Sequence, residues 1–339
     1  MVELNGKKIL VTFLMHLGDL TLTTPFIHAL RKAAPDAHIT MLVDEKLKDV
    51  VLFNPYLDEV VTIDKKGRDN SILSLWACSR HLSKLDFDVL INLHPNERCS
   101  FIDAMTSVRL RTGTTHKIFK WFWDVFTPLD RSMHAADMYL DVLQQLGVQD
   151  LSNNGLEIFP GEEHFLEAEL FWQEQNITDQ DKLIGFNIGS AVPTKRWPPE
   201  RFAEVADIFA AKGYRTVFFG GPMDEEMVAE ATGYMQTRPI IATGHFAIGG
   251  LAAAMRRCCL IITNDSGPMH VAISQKVPIV AMYGPSNPKL YGPYTKDAVI
   301  VTAQPPCQGC ADGMKHSCDD LQCMSRMTVE QVVAAADTI

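Results

Sequence analysis

The sequence predicts an α/β protein made of two consecutive doubly wound, Rossmann-like domains. Three observations carry this reading. The chain has 339 residues, too many for one ordinary core and comfortable for two. Short apolar runs rich in β-formers alternate with segments of helical period, in two separate series. Several of those runs end in a polar turn that opens a helix, which is where doubly wound sheets take their ligands.

In the first series, KKILVTFLM (7–15) reads as a buried parallel strand. DLTLTTPFIHALRKAAP follows with helical period, because Leu20, Phe26, Ile27 and Leu30 can share a face. HITMLVD (38–44), DEVVTID (58–64) and FDVLINL (87–93) are strand-like, the last two separated by a helical segment near 71–84. The alternation weakens between 109 and 160, where the clear element is a helix over 134–148 that Gly147 is placed to end. A polar stretch, QDLSNNG, comes next. The junction falls in the window 155–178, with an N-terminal domain set at 1–165 and a C-terminal domain at 166–339.

The second series is plainer. DKLIGFNIG is a strand, and PPERFAEVADIFAAKG a helix with prolines at its entry and Gly213 at its exit. YRTVFFGG, IIATG, CLIITND, VPIVAMYG and AVIVTA are further strands. Between them lie the helical segments DEEMVAEATGYMQ, GGLAAAMRRC and one starting near 267. MTVEQVVAAADTI closes the chain as a helix with Thr328 as N-cap, and is expected to cross back to the first domain. Two such domains face to face place a ligand crevice between them.

Bulk composition excludes several classes. Hydrophobic content of 47 % and charged content of 21 % are ordinary for a globular protein. A net charge of −10 argues against nucleic acid as a partner. No apolar run reaches the ~20 residues that span a bilayer. The start is not a signal peptide, since His16 and Asp19 interrupt it. A cytoplasmic location is expected.

Three strand ends carry candidate chemistry. In TNDSGPMHVA (263–272), Asp265 and Ser266 occupy the N-cap region of a helix whose first N–H groups and dipole suit a phosphate. Gly267 lets a ligand approach the backbone, Pro268 fits the first turn, and His270 can face the same site. The plainer alternative is that Asp265 or Ser266 only caps the helix. In LMHLGDLTLTTP (14–25), Gly18 permits a tight turn and Asp19 sits where a helix opens, as an N-cap or as a general base. In GSAVPTKRWPPERF (189–202), Gly189 and Ser190 end a strand, and Lys195 and Arg196 follow in a loop that Trp197 anchors. A cation there can neutralise a diphosphate or be a solvated loop charge.

Together with VFFGGPMDEE and YGPSNP, these stretches resemble glycosyltransferase family 9, the group of the lipopolysaccharide heptosyltransferases. The likeness runs over nearly the whole chain in the right order. It implies the GT-B architecture and inverting, metal-independent transfer from a nucleotide-diphosphate sugar such as ADP-heptose. By the resemblance, Asp19 is the general base and Lys195 the lysine that meets the donor phosphates. Asp265, Ser266, Gly267 and His270 form the donor turn, Asp224 meets the ribose with Glu225 as its reserve, and Gly18 and Ser190 complete the donor set. No cofactor is implied for catalysis. The acceptor implied is an anionic, lipid-linked saccharide, the lipopolysaccharide core.

The acceptor side is read from local basic segments: Lys65, Lys66 and Arg68 in DKKGRDN, and Arg109 and Arg111 in RLRTGTTHKIFKWFW, where Lys117 and Lys120 interleave with Trp121, Phe122 and Trp123. Basic plus aromatic residues suit an anionic amphiphile and peripheral contact with the inner face of the inner membrane. The alternative is that Phe119, Phe122 and Phe126 are core and the charges a solvated face. Cys307, Cys310, Cys318 and Cys323 are a candidate structural zinc set, with disulfides or free thiols as alternatives. Two other functions fit the architecture: a nucleotide-sugar 2-epimerase, and a non-catalytic sugar-nucleotide binding protein.

Overall fold

A computed structural model describes residues 2–303, 318 and 320–339. The chain divides into two compact units, Met1–Phe159 and Pro160–Ile339. Each carries one six-stranded parallel sheet.

In the first unit, β1 (Lys8–Thr12), β2 (His38–Asp44), β3 (Glu59–Ile63), β4 (Phe87–Asn92), β5 (Val108–Gly113) and β6 (Val125–Phe126) lie in the order β3-β2-β1-β4-β5-β6. In the second, β7 (Leu183–Asn187), β8 (Arg215–Phe219), β9 (Ile240–Ile241), β10 (Cys258–Asn264), β11 (Ile279–Met282) and β12 (Ala298–Val301) lie in the order β12-β11-β10-β7-β8-β9. Counted within each unit the two orders are the same. Each sheet grows outward from its first strand in both directions, the doubly wound pattern. The winding reverses between β1 and β4, and between β7 and β10, which opens a crevice at the carboxyl ends of those pairs.

The strands form where apolar β-formers run together, and they are covered on both faces, as a parallel sheet requires: β7 is buried throughout. In the first unit the helices are α1 (Leu17–Thr21), α2 (Thr24–Ala33), α3 (Ile72–Ser83), α4 (Glu97–Met105) and α5 (Ala135–Gln145). Helix α3 packs on α4, and α2 on α5. The single helix expected after β1 is two. The hydroxyls of Thr21, Thr23 and Thr24 donate to the carbonyls of Leu17, Leu20 and Thr21, and Pro25 lacks the N–H that would continue the ladder.

The second unit holds α6 (Glu162–Glu174), α7 (Pro199–Ala211), α8 (Glu225–Tyr234), α9 (Ile248–Met255), α10 (Gly267–Ser274), α11 (Pro288–Tyr291), α12 (Gln322–Ser325) and α13 (Val329–Ala336). Helix α6 lies in the stretch the sequence left as junction. It belongs to the second unit because Phe171 packs edge-on against Phe246 and α6 lies along α9. The last helix belongs to this second unit. Thr328 and Gln331 form a capping box, and Val329, Val332 and Ala336 enter the unit's core against α7 and β12.

Candidate active site

At the crevice of the second sheet, β7 and β10 both end in asparagine. Asn187 Nδ2 donates to Thr263 Oγ1 (2.9 Å) and Ser266 Oγ (2.8 Å). Asn264 Nδ2 donates to the Ile188 carbonyl (2.7 Å), and its Oδ1 accepts from the Trp197 N–H (3.0 Å). These amides replace the strand ladder where it stops and lace both strand exits to the 189–197 loop. Trp197 is fully buried, and its indole N–H donates to the Met327 carbonyl (3.1 Å). The loop is therefore anchored in the core at its far end. Sequence reading gave the two asparagines no role, although a polar residue closing an apolar run was the available signal.

The anchored loop turns at Pro193–Lys195 and brings Lys195 onto the β10 exit. Lys195 Nζ lies 2.7 Å from Asp265 Oδ2, and the two side chains are only 13 % and 7 % exposed. Ser286 Oγ, from the loop after β11, donates to the same oxygen. Ser190 Oγ reaches the Asp265 carbonyl (3.4 Å). Asp265 thus holds the ammonium in place. Ser266 is the N-cap residue of the eight-residue α10, but its side chain makes no capping bond, since its Oγ serves Asn187. A fixed ammonium and a helix start without a side-chain cap share the exit of β10, and both favour an anion. Gly267 begins the helix. His270, in the first turn, is buried. Nothing in YGPSNP marks Ser286 beforehand as a partner of Asp265.

Asp224 does something other than expected. Its Oδ2 accepts the Gly221 N–H (2.9 Å), closing the turn after β8. It also fills the space over Gly189, where a Cβ would come within 2.2 Å of Asp224 Oδ1. Glu225 beside it is exposed and extends toward Gly244, at the exit of β9.

At the crevice of the first sheet, Gly18 and Asp19 occupy the first turn of α1, both half-buried. Lys65 donates to the carbonyls of Leu14 (2.6 Å) and Met15 (2.8 Å) and pairs with Asp44 (3.1 Å). Expected at the acceptor, Lys65 is instead the clamp on the loop that leads to Asp19, with its ammonium used inside the unit. Beneath this loop, Thr12 Oγ1 donates to Asp103 Oδ2 (2.8 Å). Asp103 is fully buried, and burial pushes its carboxyl up to about 8. It is neutral at pH 7.

Two further acceptor expectations are corrected. Arg109 pairs with Asp88 (2.9 Å), at the amino end of β4 and so at the edge opposite the crevice. Arg111 donates through Nε to the Asp103 carbonyl (3.1 Å) and through Nη2 to Thr106, capping the last turn of α4. Lys66 and Arg68 are exposed at the carboxyl end of β3, Arg68 bound to Glu45 (2.9 Å).

The remaining basic-aromatic stretch splits. Trp123 is buried and donates to the Thr112 carbonyl (3.0 Å), and Phe119 packs edge-on against Phe101. Trp121, between them, is 95 % exposed, next to exposed Ile118, Phe122, Lys117 and Lys120. Of the cysteine set, Cys307 and Cys310 lie outside the described residues. Cys318 is half-buried, and Cys323 sits in the core of the second unit. Among the described residues no three metal-ligating side chains converge, and no helix is long and apolar enough to cross a membrane.

Two Rossmann-like units, one with a half-buried carboxylate at its crevice and the other with a pinned cation at a helix start, define a protein of the GT-B type. Comparison with known proteins gives the family. The sequence model of glycosyltransferase family 9 (heptosyltransferase) matches residues 75–318, and the chain belongs to that family and is a glycosyltransferase. The structure of a family 9 glycosyl transferase from Veillonella parvula is 53 % identical, with a TM-score of 0.95 over 99 % of this chain and 98 % of that one. The E. coli ADP-heptose LPS heptosyltransferase II is 21 % identical, with a TM-score of 0.81 over 98 % of each chain. E. coli lipopolysaccharide heptosyltransferase 3 is 24 % identical over 83 % of this chain and 84 % of its own.

Proposed function

We propose that the protein transfers a heptose from ADP-heptose to the lipopolysaccharide core with inversion and without a catalytic metal. The observation that carries this is the Lys195–Asp265–Ser286 array at the start of α10. An acceptor hydroxyl oxygen attacks the anomeric carbon, and its proton passes to the Asp19 carboxylate. The bond from that carbon to the diphosphate breaks, and ADP leaves with the electron pair. Lys195 and the Gly267 N–H at the start of α10 stabilise the charge that develops on the leaving diphosphate. They are fixed beforehand, so no reorganisation accompanies the reaction. The ribose falls to Glu225 rather than Asp224, whose carboxylate is used in its own turn.

The acceptor is amphiphilic, and the exposed face at Lys117–Phe122 suits peripheral contact with the inner face of the inner membrane. Lys66 and Arg68 remain as acceptor-side cations.

The test is a thermal-shift panel of ADP-, UDP-, GDP- and CMP-linked sugars, followed by transfer to O-deacylated lipopolysaccharide from a heptose-deficient strain. ADP-heptose is expected to raise the melting temperature most. D19N should keep that shift and lose ~10²–10⁴ in kcat/KM. Transfer by D19N within five-fold of wild type removes Asp19 as the base. Turnover of donor that acceptor does not stimulate favours an epimerase, and binding without turnover favours a non-catalytic protein.

A further inference from the structure

His94 follows β4, the strand that neighbours β1 across the winding reversal of the first sheet. A doubly wound sheet presents its ligand groups at that position. Sequence reading passed over LHPNE, and the roles given above do not use it. The residue is 7 % exposed, and its Nδ1 is buried without a hydrogen-bond partner among the described residues. Buried side-chain nitrogens rarely stay unpaired unless a ligand or water completes them.

The surroundings hold the ring firmly. The His94 backbone N–H donates to Asn92 Oδ1 (2.6 Å), and the next residue back, Leu93, donates to the Thr12 carbonyl (3.2 Å). The Phe13 ring lies 5.7 Å from the imidazole, and Tyr139 meets Phe13 edge-on. Burial first, then the Lys65 ammonium and His16, push the imidazole down to about 4. The ring is neutral at physiological pH, with one N–H donor and one lone pair. That pair matches a sugar hydroxyl, which both accepts and donates. A phosphate or carboxylate can accept from the N–H but leaves the lone pair unused.

We propose that His94 is an acceptor-contact residue that hydrogen-bonds a hydroxyl of the saccharide accepting the transferred sugar. The inference rests on the transferase reading above and adds to it the uncharged part of acceptor recognition. The cations of this unit answer the acceptor's charge. His94 answers its hydroxyl pattern.

The experiment compares wild type, H94L and H94Q with ADP-heptose as donor and the O-deacylated, heptose-deficient lipopolysaccharide as acceptor. H94L should lower kcat/KM for the acceptor by roughly 10- to 100-fold, the loss when a buried hydrogen bond goes unmade. The thermal shift given by ADP should not change, because donor binding belongs to the second unit. H94Q, which retains a donor and an acceptor, should recover to within about five-fold of wild type. The ratio of wild type to H94L should stay constant from pH 5.5 to 8.5, since the ring does not ionise in that range. Equal acceptor kinetics in H94L and wild type overturn the proposal. So does a loss in H94Q as large as in H94L, or a parallel loss of ADP binding. If H94L does not fold, the comparison of H94Q with H94N decides on the same criteria. Absence of transfer by wild type itself would instead refute the transferase reading.

Discussion

Lys195→Met keeps most of the side-chain volume and removes the charge, so it separates two consequences of one contact. The first is folding. Asp265 is 7 % exposed and loses an ammonium 2.7 Å away. Breaking a buried ion pair from one side costs ~3–5 kcal/mol, because the remaining charge stays uncompensated. Ser286 still donates to Asp265 and puts the cost near the lower end. About 3 kcal/mol corresponds to a fall of roughly 6–12 °C in the second unit's melting temperature, at ~2–4 °C per kcal/mol for a unit of this size. The second consequence is catalytic. Removing one fixed group from a developing anion costs ~10²–10³ in kcat.

The double variant K195M/D265N tells the two apart. Asparagine removes the stranded charge while keeping the acceptor for Ser286, so calorimetry should find the melting temperature returned to within about 3 °C of wild type. ADP release in the transfer assay should stay as low as in K195M. Recovery of activity together with stability would show that Lys195 only supports the fold. Activity of K195M within five-fold of wild type would show that the leaving group is stabilised elsewhere.

Three further outcomes are expected. Asp103 keeps its proton in the folded protein up to about pH 8, whereas the unfolded chain loses it above 3.8. The folded state therefore holds the extra proton between those values. Stability should fall as pH rises from about 4 to 8, by ~1.4 kcal/mol per pH unit from this group, and level off above. D103N should flatten that fall in a denaturant series at pH 5, 6, 7 and 8, and an unchanged slope would refute the assignment. W121S should reduce co-sedimentation with phosphatidylglycerol vesicles several-fold while leaving transfer to the O-deacylated acceptor unchanged; equal sedimentation by both proteins rejects the bilayer contact. E225A should raise the KM for ADP-heptose about ten-fold with little change in melting temperature, whereas D224A should mainly lower the melting temperature. The reverse pattern would return the ribose to Asp224.

The difference between what was legible and what was not follows from whether a local pattern marks the residue. The strands and the fold class are written locally, in apolar runs that any parallel sheet buries on both faces. The second crevice was nearly as plain, because Ser190, Lys195 and Asp265 sit within a few residues of a strand end and the helix start follows at once. What the chain could not display was which partner each charge finds. Lys65 and Asp44 are 21 positions apart and Arg111 caps a helix that ends before its own strand begins, so both arginines and lysine in the basic segments looked equally available. Burial supplied the rest. Asp103 is one carboxylate among many in the sequence, and only its position under β1 makes it neutral. His94 is likewise unremarked in LHPNE until the reversal of winding puts β4 beside β1. Both crevices are built from contacts that cross the sheet: Lys195 and Asp265 are 70 positions apart, and Thr12 and Asp103 are 91. What differs is that Ser190 and Asp265 stand at strand ends, and Asp265 just before a helix start, where local pattern marks them, whereas Asp103 and His94 are marked only by their place in the fold.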